Sequence, residues 1–468
     1  MPHPLDAPPD LADDAGASLG DAGFRADHRV RLAYVAGAMG KGVASERLVA
    51  RLARARILSF FGAGGLPLER IAAAIAVIRD AAGPQAVFGV NFLHNQIVPG
   101  LEDALADLLL AEQIRIIEAS AFIRVTPALV RYRLAGLERD ADGAPRIRNR
   151  IFAKLSRPEV ARQFLTPPDP AIVAELRAVG AVTEEQAQLA RLVPLADDIC
   201  AEADSGGHTD RRVALTLVPR FRALRDEEAA RHRLRQRIRI GAAGGVGAPE
   251  AVAACFMLGA DFVLTGSINQ CTPEAGTSDA VKDMLAAADL ADFDIAPAGD
   301  MFEIGARVQV LKRGTLFPGR GNRLYELYRA YPGLDALPRK ILDEIEQRFF
   351  GRSVAEVWEE TARHYARVAP AELAAAEADP RKKMAMAFRW YFIHSNRMAI
   401  EGRADQRANF QIHSGPAMAA ANSWLRGTDL EDWRARHVDV LAERLMREAA
   451  AIYRERLMAL LTRDEASS

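Results

Sequence analysis

Cysteine is scarce in this chain of 468 residues, and that scarcity narrows its chemistry. Cys200, Cys255 and Cys271 are too few and too scattered for a disulfide framework or a thiolate metal cage. Cys200 and Cys255 lie in apolar runs and read as buried thiols, a usage that suits a reducing cytoplasm. An excess of one charge is also missing. The 61 Lys and Arg against 62 Asp and Glu leave a net charge of -1, so nothing draws the chain in bulk to nucleic acid or to an anionic membrane. A solvated helix face explains the basic run from Arg231 to Arg239. No apolar run is long enough to span a bilayer. The N-terminus, MPHPLDAPPDLADDAG, has no basic region ahead of an apolar core and does not read as a secretory signal. Rich in Pro and Asp, it is expected to form a disordered tail over 1–28. A nucleophile elbow, an HExxH zinc motif and a Walker loop are absent, as is an early GxGxxG, which argues against a Rossmann nicotinamide site.

What is present is a repeated strand, glycine turn and helix. The stretch from Ile240 to Ser267 is the clearest case. Ile238 to Ile240 lead into Gly241-Ala242-Ala243-Gly244-Gly245. Pro249 opens a helix, where its missing N–H is harmless, and Gly259 ends it. Phe262 to Leu264 form the next strand, followed by Thr265-Gly266-Ser267. Glycines after two successive parallel strands let backbone N–H groups approach a phosphate, with a helix N-terminus behind. Further strands are expected at Leu32–Ala36, Ile57–Phe61, Val87–Phe92, Ile114–Glu118, Ile151–Leu155 and Asp198–Ala203. Eight strands alternating with helices imply a parallel (β/α)8 TIM barrel, an α/β fold, with an open doubly wound sheet as the alternative. Beyond it the apolar positions recur at helical spacing: Leu324, Leu327, Tyr328; Ile341, Ile345, Phe349; Val354, Val357, Trp358. The chain therefore divides into the tail (1–28), the barrel (29–300), an additional mostly helical domain (301–400) and a C-terminal helical segment (401–468).

Functional residues of such barrels sit at the C-terminal ends of the strands. Asn91 ends the third strand with a carboxamide that both donates and accepts, though a turn or capping role is the common one. Lys154 is the single charge of its expected strand; it either meets a ligand anion or snorkels to solvent. His208 follows Gly206 and Gly207 directly after the sixth strand and exchanges a proton near neutral pH. It is the catalytic candidate, against a structural histidine bonded to Asp204 or Asp210. His94 lies in a looser segment, and His413 reads as a cap or packing residue. Asp197 and Asp198 are adjacent in a strand and point to opposite faces, so they make poor acid/base partners.

These residues carry a resemblance. AGAMG at 36–40, GVN at 89–91, EADSGGH at 202–208, AAGGV at 242–246 and LTGS at 264–267 resemble the flavin-dependent barrel reductases related to nitronate monooxygenases, formerly 2-nitropropane dioxygenases. GTSDAVKDML at 276–285, APAGDMFEIGARVQVLKRGTLFP at 296–318, NRLYELY at 322–328 and SGPAMAAANSWLRGT at 414–428 are similar to the trans-acting enoyl reductases of polyketide and polyunsaturated fatty acid synthases. The resemblance implies FMN on the barrel, with its phosphate against Gly244, Gly245, Gly266 and Ser267. It implies Gly37, Ala38 and Met39 beside the ring, Asn91 and Lys154 at its polar edge, and Gly206, Gly207 and the catalytic His208 over its reactive face. It also implies NADPH as reductant, a 2-enoyl thioester as substrate, acyl carrier protein as partner, and a helical domain that covers the acyl chain. Lys312, Arg313, Arg320 and Arg323 are candidate carrier contacts, against plain solvated charge. The oligomeric state is left open, a homodimer included. Two other readings compete: nitronate oxidation on the same barrel, with His208 abstracting a proton, and a non-enzymatic docking component of a synthase.

Overall fold

The computed structural model describes residues 15–465 apart from 96 and 208. Eight strands close a barrel: β1 (Tyr34–Ala36), β2 (Leu58–Phe61), β3 (Gly89–Leu93), β4 (Ile116–Ser120), β5 (Arg150–Leu155), β6 (Asp198–Glu202), β7 (Arg239–Ala243) and β8 (Val263–Thr265). Every neighbouring pair is parallel and follows chain order, and β8 returns to β1 with Tyr34 opposite Val263. The eight-stranded barrel expected from the alternation is therefore the fold, and the open sheet is excluded. Parallel strands covered on both faces need apolar side chains all along, and Tyr34, Val35 and Ala36 are fully buried accordingly. The helices between strands bury one stripe each. Glu46–Arg54 turns Leu48, Val49 and Leu52 inward, and the Ser45 hydroxyl caps it by accepting from the Leu48 N–H at 3.2 Å.

The N-terminal end of the barrel is plugged. The Phe60, Phe152 and Phe262 rings meet inside it, with centroids 5.2 and 5.0 Å apart. Phe24, on the helix Ala22–His28, stacks on Phe262 at 4.8 Å. Residues 1–14 of the expected tail lie outside the described residues. Residues 15–28, placed by the sequence in that disordered tail, are folded: a short 3-10 turn at Ala15–Ser18 and the plug helix bury Phe24 and His28. Composition hid this, because two buried aromatic rings suffice to anchor a seven-residue helix that Asp21 caps.

A second core lies beyond the barrel. It runs from Ala296 to Phe392 and packs Phe302, Phe317, Phe349, Phe388 and Tyr391 together. An antiparallel hairpin, β9 (Phe293–Pro297) with β10 (Arg307–Leu311), opens it. Residue 300, the expected boundary, falls inside the connection of this hairpin. The C-terminal helix Val438–Glu465 does not join the second core. Its Leu441, Leu445, Met446 and Ala449 belong to the barrel core, and it lies along the barrel helix Pro249–Met257. Among the described residues no helix is long and apolar enough to cross a membrane, and no cluster of His, Cys, Asp and Glu could hold a metal ion.

Candidate active site

Side chains of β3 to β6 gather a polar cluster inside the barrel. Glu118, on β4, is fully buried, and its carboxyl oxygens accept from the Ala38 N–H at 3.2 and 3.1 Å. Asn91, on β3, is 4% exposed. Its amide donates to the Glu118 carbonyl at 3.1 Å and to the Ser120 hydroxyl at 2.7 Å. Lys154, on β5, reaches across to Glu202 on β6, with Nζ 3.2 Å from Oε1. The register makes this possible. Lys154 lies opposite Cys200 two residues before Glu202, so both side chains face the same interior layer.

Burial pushes the Glu118 carboxyl up to about 7, and Glu202 adds to the rise while Lys154 opposes it. Burial alone would lower Lys154, but the Glu202 and Glu118 carboxylates outweigh it and hold the ammonium well above its ordinary value. The cluster thus holds one fixed cation and a carboxyl poised between its two states. Cys200 lies in the same layer, and its thiol is pushed well up by burial first and Glu202 second. All three cysteines are free and buried, as their apolar surroundings suggest for Cys200 and Cys255.

The glycines of the expected phosphate cradle lie in the loops after β7 and β8. Gly244 and Gly245 have φ of 90° and 74°, the left-handed region that other residues enter at a cost. A Cβ on Gly245 or on Gly266 would meet nothing within 4 Å, so both backbones border open space. The helix Pro249–Met257 starts without a side-chain cap; Pro249 has no N–H, Ala251 and Val252 donate to the Ala248 carbonyl at 3.0 and 3.2 Å, and the Glu250 N–H is left for a ligand. The 10-residue helix Pro416–Leu425 also starts uncapped, and its Ala417 carbonyl occupies the place where a Gly247 Cβ would be. Gly247 therefore lets the C-terminal segment close against the loop after β7. These features fit a flavin phosphate.

The loop after β6 is held by the second domain. Gln309 on β10 donates to Asp204 at 2.9 Å, and its N–H meets the Ser205 carbonyl at 3.4 Å. Thr209 pairs with Arg307, and His413 with Val310, as antiparallel bridges. His413 Nδ1 lies 3.2 Å from the Gly206 carbonyl and Nε2 2.7 Å from the Gln411 amide, a packing role in keeping with its sequence context. Asp210 is engaged by Arg157 at 2.7 Å and by the Ser156 hydroxyl at 2.8 Å. His208 itself lies outside the described residues. His94 binds Glu102 at 2.7 Å away from the cluster. Asp197 and Asp198 go separate ways, the first to Arg133 at 2.6 Å and the second to His28 at 2.7 Å.

Gly37, Ala38 and Met39 form the loop after β1, above Glu118. Sequence reading missed Glu118 and Glu202: unlike Lys154, neither is the single charge of its expected strand, which also holds Arg115 in the first case and Asp198 in the second. It also missed Lys41. This residue is held at a φ of 56° on the same loop, and burial lowers it to about 8 between Asp300 and Arg397 of the second domain.

Known proteins of the same kind match at three levels. Residues 26–313 match the nitronate monooxygenase family, and residues 331–410 match the inserted helical domain of [acyl-carrier-protein] S-malonyltransferase. The polyketide biosynthesis protein PksE of Bacillus subtilis is 48% identical over 95% of this chain, and a polyunsaturated fatty acid synthase protein of Thraustochytrium is 44% identical over 88%. The chain spans only 57% and 28% of the lengths of those two relatives. The crystal structure of the enoyl reductase domain of MlnA from the macrolactin cluster of Bacillus amyloliquefaciens is 41% identical, with a TM-score of 0.91 over 95% of this chain and 99% of that one. Barrel and matches agree: the chain belongs to the nitronate monooxygenase family of β/α barrels, among relatives that are polyketide and polyunsaturated fatty acid synthase proteins.

Proposed function

We propose that this protein is a trans-acting, FMN-dependent enoyl reductase that reduces 2-enoyl thioesters on acyl carrier protein, with NADPH as reductant, in polyketide or polyunsaturated fatty acid biosynthesis. The similarity to the MlnA enoyl reductase domain along nearly the whole of both chains carries this reading. FMN, when bound, supplies the hydride chemistry. Gly244, Gly245, Gly266 and Ser267 would hold its phosphate, with open backbone at Gly245 and Gly266 and an uncapped helix start behind. Gly37, Ala38 and Met39 would line its ring, with Asn91 and Lys154 at the polar edge.

The residues of the chain fix position and charge. Glu202 and Glu118 keep Lys154 protonated, so a positive charge stays at the ring edge throughout turnover. Glu118 ties the Ala38 N–H to β4 and so sets the loop after β1. The β9–β10 hairpin holds the loop that carries Gly206 and Gly207. His208 would orient the thioester carbonyl or pass a proton towards its α-carbon.

The test is an anaerobic titration of the purified protein. Flavin absorption should bleach with NADPH and return on addition of a short 2-enoyl thioester. Recovery only on admitting oxygen, with consumption of a nitronate, would replace this reading by nitronate oxidation, the activity named for the barrel family. A reconstituted protein without flavin absorption would leave the non-enzymatic docking reading standing.

A further inference from the structure

Away from the barrel cluster, the second domain carries a half-open cavity of about 500 Å³ with exposed arginines at its rim, within the range of small-molecule sites. Four arginines line it, Arg348, Arg352, Arg397 and Arg403, and no carboxylate does. Arg352, Arg397 and Arg403 have acidic neighbours outside the wall, namely Glu360 at 2.9 Å, Glu401 at 3.8 Å and Asp405 at 3.4 Å. Arg348 has no ion-pair or hydrogen-bond partner among the described residues. The floor is apolar, from the buried Phe349, Phe350 and Met398.

The wall is built in an unusual way. After the helix Arg339–Glu344 the backbone widens into a π-helical turn over Ile345–Phe350, closed by Gly351 at a φ of 68°. Such turns are rare and concentrate at functional sites. This one sets Arg348 and the two phenylalanines into the same cavity. Burial first, then Arg397 and Arg352, push His394 on the opposite wall below its ordinary value. That His stacks on Trp390 at 4.4 Å, and Arg352 covers the same indole at 5.2 Å. The cavity also meets the barrel: Met398 in its floor packs into the barrel core, and the Ser278 hydroxyl, beyond β8, donates to the neighbouring Ala399 carbonyl at 2.6 Å.

We propose that this cavity binds the phosphate of an extended organic tail whose other end reaches the barrel mouth. Guanidinium groups grip phosphate oxygens in pairs, and the apolar floor takes the carbon part. The source of the phosphate is either the adenosine 2′-phosphate end of a nicotinamide nucleotide or the phosphopantetheine arm of a carrier. The choice of these probes rests on the enoyl reductase reading; the anion site does not.

Calorimetric titration with 2′,5′-ADP and separately with 4′-phosphopantetheine tests this without any turnover. Wild-type protein is compared with Arg348→Ala and Arg397→Ala, and circular dichroism checks that each variant is folded. One probe should bind, and each substitution should weaken it about tenfold or more, the loss expected for a charge-assisted contact. Binding of 2′,5′-ADP assigns the cavity to the nucleotide, and binding of phosphopantetheine assigns it to the carrier arm. If neither probe binds below the millimolar range, or if folded variants bind as well as wild type, the proposal is overturned. A flavin titration that fails while a probe still binds would discard the reductase reading and leave the anion site in place.

Discussion

At the scale of single residues, Glu118 is the group on which the site turns. Its carboxyl is buried between Lys154, Glu202 and the Ala38 N–H, and burial lifts it from 4.5 to about 7. The folded protein therefore keeps a proton over a pH range in which the unfolded chain has lost it. Stability falls as pH rises from 4.5 through about 7 and levels off above. Glu118→Gln mimics the protonated carboxyl and still accepts from Ala38. It should remove that slope and leave the variant more stable than wild type at pH 8, by on the order of 3 kcal/mol. Urea midpoints of the two proteins at pH 5 and pH 8 measure this, and parallel profiles would show that Glu118 is ionised throughout. Sequence alone marked Lys154 but neither carboxylate, because pairing across β4, β5 and β6 exists only once the strands lie side by side.

At the scale of elements, two glycines two residues apart in one loop do different work. Gly245 borders open space with a φ of 74°, whereas a Cβ on Gly247 would strike the Ala417 carbonyl. Gly245→Ala should cost only about 1 kcal/mol of stability through its left-handed backbone, yet intrude on the phosphate cradle and lower flavin retention. Gly247→Ala should force the loop after β7 away from the helix Pro416–Leu425, a core-like overpacking of about 1–3 kcal/mol. Thermal unfolding with and without added FMN separates the two. Equal flavin retention in Gly245→Ala and wild type would remove that glycine from the cradle. The glycines could be read from sequence as a phosphate loop. That the 414–417 segment closes against them could not, since the two stretches lie far apart in the chain.

At the scale of the whole molecule, the chain folds around two cores, and the last helix joins the first of them. Leu441, Leu445 and Met446 are fully buried or nearly so against the barrel. Each such side chain contributes about 1.5–3 kcal/mol, so removing residues 430–468 should cost on the order of 6 kcal/mol, comparable to the whole stability of a domain. The truncated protein should lose cooperative unfolding and solubility. A truncated protein with a wild-type midpoint would show that the helix is dispensable to the barrel. The Ile341, Ile345, Phe349 spacing predicts an α-helix, and the structure widens it to a π turn after Glu344. An i, i+4 pattern fixes which residues face inward, not how many residues the turn contains.

The regular alternation of apolar strands and helices, with polar or glycine-rich turns after nearly every strand, determined the parallel barrel, because strand period and turn chemistry are local properties. The glycines proposed to cradle a phosphate were marked for the same reason. The tertiary structure alone decided which charges meet in the barrel, that residues 15–28 plug its floor, that the hairpin of the second domain holds the loop after β6, and that four arginines share one cavity. Each of these joins residues distant in the chain, and such pairings depend on register and packing that no local pattern contains.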